Sequence, residues 1–206
     1  MGCSSSEVIE KAKNYGIINT TKKNVIFIVG APGTSVSTMC SKLIEEFKFS
    51  FISTSDTIKT ESSNTKSLFF NALMTDIQNG LVDSSKVVQM LKLKIMASQE
   101  QKILLEGFPR CIENIDQWTS VMSETADIVA MCLIDISSEE IMKTKASLKY
   151  SSNEVNEKVN TFINQTRPAC QKYKEQLKLM VFNGEKNDED LFTELKTAFI
   201  EHKLYL

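Results

Sequence analysis

The sequence predicts an α/β fold, a parallel sheet with helices on both faces. Three observations carry that expectation. Five short apolar runs, at 25–29, 47–52, 102–105, 127–134 and 179–182, are rich in Val, Ile, Leu and Phe and lack clean alternation, as strands buried on both faces do. Longer segments with helical spacing lie between them, marked by Leu43/Phe47, Val87/Met90/Leu91 and Val155/Val159/Phe162. The first strand runs directly into a Gly/Pro turn. Strands that alternate with helices build a parallel sheet, and ligands then gather at the carboxyl ends of the strands.

The elements follow in order. The first is Val25-Ile-Phe-Ile-Val-Gly30-Ala-Pro-Gly33-Thr-Ser35-Val36-Ser37-Thr38. It approximates the phosphate loop G-x-x-x-x-G-K-[ST], in which backbone N–H groups at a helix start face a polyphosphate and a lysine neutralises it. Gly30 and Ser37 fit the pattern, Ser35 stands at the second glycine, and Val36 stands at the lysine. The nucleotide-binding candidates are Gly30, Pro32, Gly33, Thr34, Ser35, Ser37 and Thr38, with Val36 marking a lost catalytic charge.

Four segments, the loop included, stand in the order and spacing of the adenylate kinases, which this chain resembles from about residue 23 to its end. They are Pro32-Gly33 with Thr38, Thr54-Ser55-Asp56-Thr57-Ile58-Lys59, Asn79-Gly80-Leu81-Val82-Asp83, and Glu106-Gly107-Phe108-Pro109-Arg110. The resemblance is to the short-lid cytosolic type, with a degenerate loop and lid. It implies a P-loop nucleoside monophosphate kinase fold with two mobile flaps. It also implies acceptor-binding roles for Thr54, Lys59, Leu81, Val82, Gly107, Arg110 and Asn114. Ser55 replaces a family glycine, Lys59 an arginine, Glu106 an aspartate and Asn114 a base-reading glutamine, so the acceptor base is left open between AMP, the family default, and others. Mg²⁺ is expected with bound nucleotide. Glu106 would meet it only weakly, through water, because the extra methylene moves the charge and this ion demands near-ideal octahedral geometry.

The resemblance turns the scarcity of arginine into an argument. Phosphoryl transfer needs positioning and positive charge around a charge-dispersed transition state. The chain holds two arginines, Arg110 and Arg167. Arg110 suits a bidentate clasp on the acceptor phosphate. Arg167, ahead of Pro168, reads as a surface arginine before a proline turn. Between Ile141 and Phe162 the lid is shortened, and its flanks carry Lys149 and Lys158. These two are weak phosphate candidates, and the reading as solvated helix charges is preferred. Lys42, one helical turn past the loop, is the remaining candidate for a replacement lysine. A single trans-acting arginine is worth roughly 10³ to 10⁵ in rate, so the combined losses exceed one such factor, though they do not add.

Composition narrows the alternatives. The chain has 206 residues, 42% of them hydrophobic, and this suits one compact domain at 23–206 behind a short segment at 1–22. A net charge of −2 with mixed Lys and Glu offers no footprint for nucleic acid. The five cysteines, Cys3, Cys40, Cys111, Cys132 and Cys170, form no CxxC pair and read as reduced thiols without zinc. A single histidine, His202, excludes histidine clusters and reads as the exposed end of the last helix.

Met1-Gly2-Cys3-Ser4-Ser5-Ser6 fits the N-myristoylation signal at Gly2, with Cys3 beside it for palmitoylation. Two acyl chains hold a protein on a membrane where one binds marginally. Lys11, Lys13, Lys22 and Lys23 add attraction to anionic lipid. The expected place is a cytoplasmic membrane face, ciliary and flagellar membranes included, with the cytosol as the alternative. The favoured function is a nucleotide-binding, catalytically inactive or strongly impaired member, membrane-tethered and monomeric, with any protein partner unidentified. An active kinase converting ATP and AMP to two ADP is the alternative, and a scaffold binding no nucleotide is the second.

Overall fold

The protein is described here by a computed structural model, which covers residues 22–78, 82–143, 152–174 and 178–205. Gly2, Cys3, Leu81 and Lys149 lie outside these described residues.

The elements are β1 (Lys23–Gly30), α1 (Val36–Phe47), β2 (Ser50–Ser53), α2 (Thr54–Ser63), α3 (Phe70–Gln78), α4 (Ser84–Ala97), β3 (Lys102–Glu106), α5 (Ile112–Met122), β4 (Ala126–Asp135), α6 (Ser138–Lys143), α7 (Ser152–Thr161), a π-helical turn (Phe162–Thr166), α8 (Arg167–Gln171), β5 (Leu179–Asn183) and α9 (Asp188–Glu201). The five strands form one parallel sheet in the order β2-β3-β1-β4-β5. The expected α/β architecture is therefore present, and each apolar run holds a strand. One boundary differs. The run 47–52 becomes a strand only at Ser50, because Phe47 closes α1 and Lys48 turns the chain in a left-handed conformation, φ 59°. Phe47 and Phe49 both pack on Phe199, so burial makes the helix end and the strand start equally apolar.

Alternation along β1 divides the core. Val25, Phe27 and Val29 face a layer made by α3, α4, α5 and the α7–α8 helix, while Ile26 and Ile28 face α1 and α9. On the second side Met39, Leu43, Leu195 and Phe199 are fully buried, each contributing about 1.5–3 kcal/mol against exposure. On the first side Phe27 meets Phe108, Trp118 and Tyr173 edge to face, with centroids 5.3, 4.8 and 6.0 Å away. Through Phe108 this cluster fixes the turn that follows β3.

Helix starts are well signalled. The Ser53 side chain accepts from Asp56 N, that of Asp83 from Lys86 N, and that of Asn187 from Glu189 N and Asp190 N. Asp188, Glu189 and Asp190 put negative charge at the positive end of α9. Lys23, buried at the start of β1, donates to the carbonyls of Ser98 and Glu100 and closes the end of α4. Among the described residues, no helix is long and apolar enough to cross a membrane.

The reading of Arg167 as a surface residue before a proline turn is overturned. Pro168 sits in the first turn of α8, and the helix runs through it. Proline has no N–H and its ring crowds the carbonyl of residue i−4. The preceding turn widens to π geometry, with Arg167 N donating to Phe162 O. Arg167 is thereby turned inward: its Nη2 lies 2.7 Å from Asp135 Oδ1 and 2.9 Å from Ile136 O, and its guanidinium covers the Phe162 ring at 5.2 Å.

Candidate functional site

The site forms at the carboxyl ends of β1 and β3. β1 ends at Gly30, where a Cβ would come within 2.8 Å of Val36 Cβ, so the loop can pass only over a bare backbone. Ala31 N donates to Ile134 O, and Thr34 folds back on Ala31 O through both its N–H and its hydroxyl. Gly33 takes the left-handed conformation, φ 92°, that brings the chain into α1. Ser35 caps α1 without a side-chain bond to its first N–H groups, and such a helix start favours an anion. Val36 packs partly on the α1/α9 core and presents its remaining surface to the cleft.

β3 ends in Glu106, followed by Gly107 at φ 76° and a cis Phe108–Pro109 peptide that delivers Arg110. Arg110 is exposed to the cleft, with both its side chain and its backbone hydrogen-bonded. Its Nη2 donates to Ser55 Oγ at 2.7 Å and its Nε to Gly107 O at 3.3 Å. Its backbone N donates to Asn114 Oδ1 at 2.9 Å, and its carbonyl accepts from Thr166 Oγ1 at 2.8 Å. Asn114 Nδ2 in turn donates to Ser84 Oγ at 2.7 Å. The surrounding protein lowers the Arg110 pKa by desolvation, against the opposing pull of Glu106. A guanidinium nevertheless remains charged at neutral pH.

Two cavities meet at Arg110. One, of about 640 Å³, touches Gly30, Pro32, Gly33, Val36, Ser37, Glu106 and Gly107, with Ser55 and Asp56 on one wall and Glu157 and Lys158 on another. The second, of about 960 Å³, is walled by Thr54, Ile58, Val82, Ser84, Val87 and Asn114. The structure thus brings together most of the residues singled out in the sequence. Thr34 turns inward on its own loop, Ser35 is the helix cap, and Thr38 is exposed on α1 outside the lining of either cavity. Thr54 is buried and reaches Glu106 O at 2.9 Å, a support for the turn. Lys59 is exposed on α2, one turn beyond Ser55. Lys158 is exposed on α7 and stands on the wall of the first cavity. Lys42 is committed elsewhere, 2.6 Å from Glu189 Oε1 and over the Phe192 ring, so it is no replacement for the loop lysine.

Ser55, Ser84 and Thr166 are the residues that sequence reasoning missed. Ser55 was visible as a replaced glycine, but its partner is 55 positions away.

Mg²⁺ accompanies ATP in this family's chemistry. The residues proposed for it stand together at the loop: Ser37 Oγ donates to Glu106 Oε1 at 2.6 Å, and a hydroxyl that donates its proton keeps the lone pairs that would ligate the ion. Among the described residues no group of three His, Cys, Asp or Glu side chains is placed to hold a metal. Cys40, Cys132 and Cys170 are buried core thiols, Cys170 pushed up to about 12 by desolvation, and so are protonated rather than ligating.

Comparison with known proteins agrees with this geometry. The family model described as adenylate kinase matches residues 28–178. The UMP-CMP kinase of Danio rerio is 26% identical over 188 residues, 85% of this chain and 96% of that protein. Those of Homo sapiens and Bos taurus are 25% and 24% identical over 191 residues, 86% of this chain and 97% of each relative. The matched stretch runs from β1 through the loop, the Arg110 turn and the α7–α8 helix, and on this ground the chain belongs to the adenylate kinase family of nucleoside monophosphate kinases.

Proposed function

We propose that this protein is a nucleotide-binding member of its family in which phosphoryl transfer is absent or strongly impaired. The observation that carries the proposal is Val36, an aliphatic side chain facing the cleft where the loop lysine belongs. Among the described residues the same cavity is lined by three carboxylates, Asp56, Glu106 and Glu157, against two cations, Arg110 and Lys158. Transfer of a phosphoryl group depends on stabilising its spread charge, and this lining supplies little. UMP and CMP join AMP as acceptors to be tried, since the relatives named above are UMP-CMP kinases.

A coupled ADP-production assay with ATP, Mg²⁺ and each monophosphate tests the proposal. The expected rate lies far below the usual enzyme range of about 1 to 10³ s⁻¹. Turnover within that range rejects impairment and favours the second reading, an active kinase, for which Lys158 on the cleft wall is the supporting observation.

The proposal extends to the N-terminus, where acylation of Gly2 and Cys3 would hold the protein on a cytoplasmic membrane face. Fractionation from a myristoylating cell tests this part. The wild-type chain is expected with membranes and Gly2→Ala in the soluble fraction, and equal solubility rejects the anchor.

A further inference from the structure

Position 55 holds serine where the family has glycine, so this chain has gained a hydroxyl at the start of α2. We infer that Ser55 is a positioning residue for Arg110: it fixes which edge of the guanidinium faces the cleft, and its own O–H is a further donor to an anion bound there. The inference rests on the proposed nucleotide-binding reading and adds a residue to that site.

The contacts of Arg110 divide its guanidinium in two. Nη2 donates to Ser55 Oγ at 2.7 Å and Nε to Gly107 O at 3.3 Å, and these two nitrogens form the side edge of the fork. The end edge, made by Nη1 and the second N–H of Nη2, has no partner among the described residues. Nor does Arg110 make an ion pair with a described carboxylate, although Asp56 and Glu106 line the same cavity. Its side-chain partners are a hydroxyl and a carbonyl, which orient the group without neutralising it. An anion in the cleft therefore meets a charged edge already turned towards it.

The start of α2 is built to hold this hydroxyl in place. Ser53 is the cap, accepting from Asp56 N, so the helix does not need the side chain of Ser55. Thr54 Oγ1 donates to Glu106 O at 2.9 Å and Thr57 Oγ1 to Ser53 O at 2.8 Å. The first turn of α2 thus rests on the end of β3, from which the Gly107 turn also delivers Arg110. With glycine at 55, the long bond from Nε to Gly107 O would be the remaining side-chain restraint among the described residues. An arginine has many rotamers, and ordering one only when a ligand arrives weakens the complex. Ser55 Oγ accepts from Nη2 and keeps its proton, so the same hydroxyl can donate to the anion that the guanidinium clasps.

Two measurements on the full chain test the inference. The first is NMR of the arginine side-chain nitrogens in the ligand-free protein. The chain has two arginines, and Arg110→Lys assigns their signals. Hindered rotation should keep the Nη signals of Arg110 distinct in the wild type and in Ser55→Thr, and Ser55→Ala should average them. Averaged signals in the wild type, a result that needs no variant to fold, overturn the inference, and so does an unchanged spectrum in Ser55→Ala. Neither outcome touches the nucleotide-binding reading.

The second is calorimetry with UMP, CMP, AMP and their nucleosides. Ser55→Ala should weaken the best-bound monophosphate by about tenfold and its nucleoside by less than about twofold, because the lost orientation and the lost donor both act on the phosphate. Ser55→Thr, which keeps the hydroxyl, should restore the monophosphate. Equal losses for monophosphate and nucleoside mark a merely structural role and overturn the inference. Absence of heat with every nucleotide in the wild type rejects the nucleotide-binding reading and the anion-binding part of the inference with it, whereas the arginine signals decide the positioning separately.

Discussion

Asn114→Ala tests whether the Arg110 turn is held as described. Asn114 is 6% exposed and Ser84 5%, so truncation strips a buried hydroxyl of its donor as well as Arg110 N of its acceptor. An orphaned buried polar group costs about 1–3 kcal/mol. Ser84 keeps only the weak, 3.8 Å contact to Cys111 Sγ, whereas water from the cleft can reach Arg110 N. The sum is about 2 kcal/mol, or a factor of about 30 in the unfolding equilibrium. Urea titration followed by the fluorescence of Trp118, 2% exposed against Phe27 and Phe108, reads it directly. With a slope of about 2 kcal/mol/M, the midpoint should fall by about 1 M at unchanged slope. Ser84→Ala removes the same bond, so the double variant should cost about 0.5–1.5 kcal/mol less than the sum of the two single ones. A loss under about 0.5 kcal/mol, the size of an ordinary surface substitution, or strict additivity of the pair, refutes the reasoning.

Three further outcomes follow from the packing. Arg167→Met should destabilise by about 1–2 kcal/mol, reduced by partial solvent screening from the full cost of leaving Asp135 unpaired, and adding Asp135→Asn should restore part of the loss in thermal unfolding. Gly107→Ala should cost about 1–2 kcal/mol, because φ 76° is strained for any side chain although the space is open; Gly107→Asn should cost less in the same melt. Asp76 accepts both a bidentate bond from Lys86 and the N–H of Asp83, and the Lys86 bond first, then the backbone bond, holds its pKa below the ordinary carboxylate value. Its contribution is present above about pH 4 and is lost as pH falls through the lowered folded-state value. The acid limb of a stability-versus-pH curve should therefore flatten in Asp76→Asn.

The strands were legible because parallel strands buried on both faces need long apolar side chains whatever the loops do, and β1, β3, β4 and β5 fall within a residue or two of the runs that mark them. The loop and the Arg110 turn were legible through Gly30, Gly33, Gly107 and Pro109, whose backbone demands are local. Long-range partnerships were not. Pro168 reads as a stop in a one-dimensional pattern, and only the π turn before it shows how the helix continues and carries Arg167 to Asp135. Lys42 looks available until α9 is seen to lie beside it. The hydroxyl at Ser55 reads as a lost glycine until Arg110 is brought to it. In each instance the missing information is which side of an element meets which neighbour.

The bond between Ser37 and Glu106 has a consequence for how this loop behaves over time. It ties the first turn of α1 to the end of β3 across 69 positions of sequence, so the loop is braced by the protein's own side chains. A loop braced in this way is already ordered before any ligand arrives. Amide hydrogen exchange across 31–38 should then be slow in the free protein and change little on binding. The informative signal would be Glu106→Gln or Ser37→Ala, either of which weakens the brace and should speed exchange in that segment while the centre of the sheet stays protected.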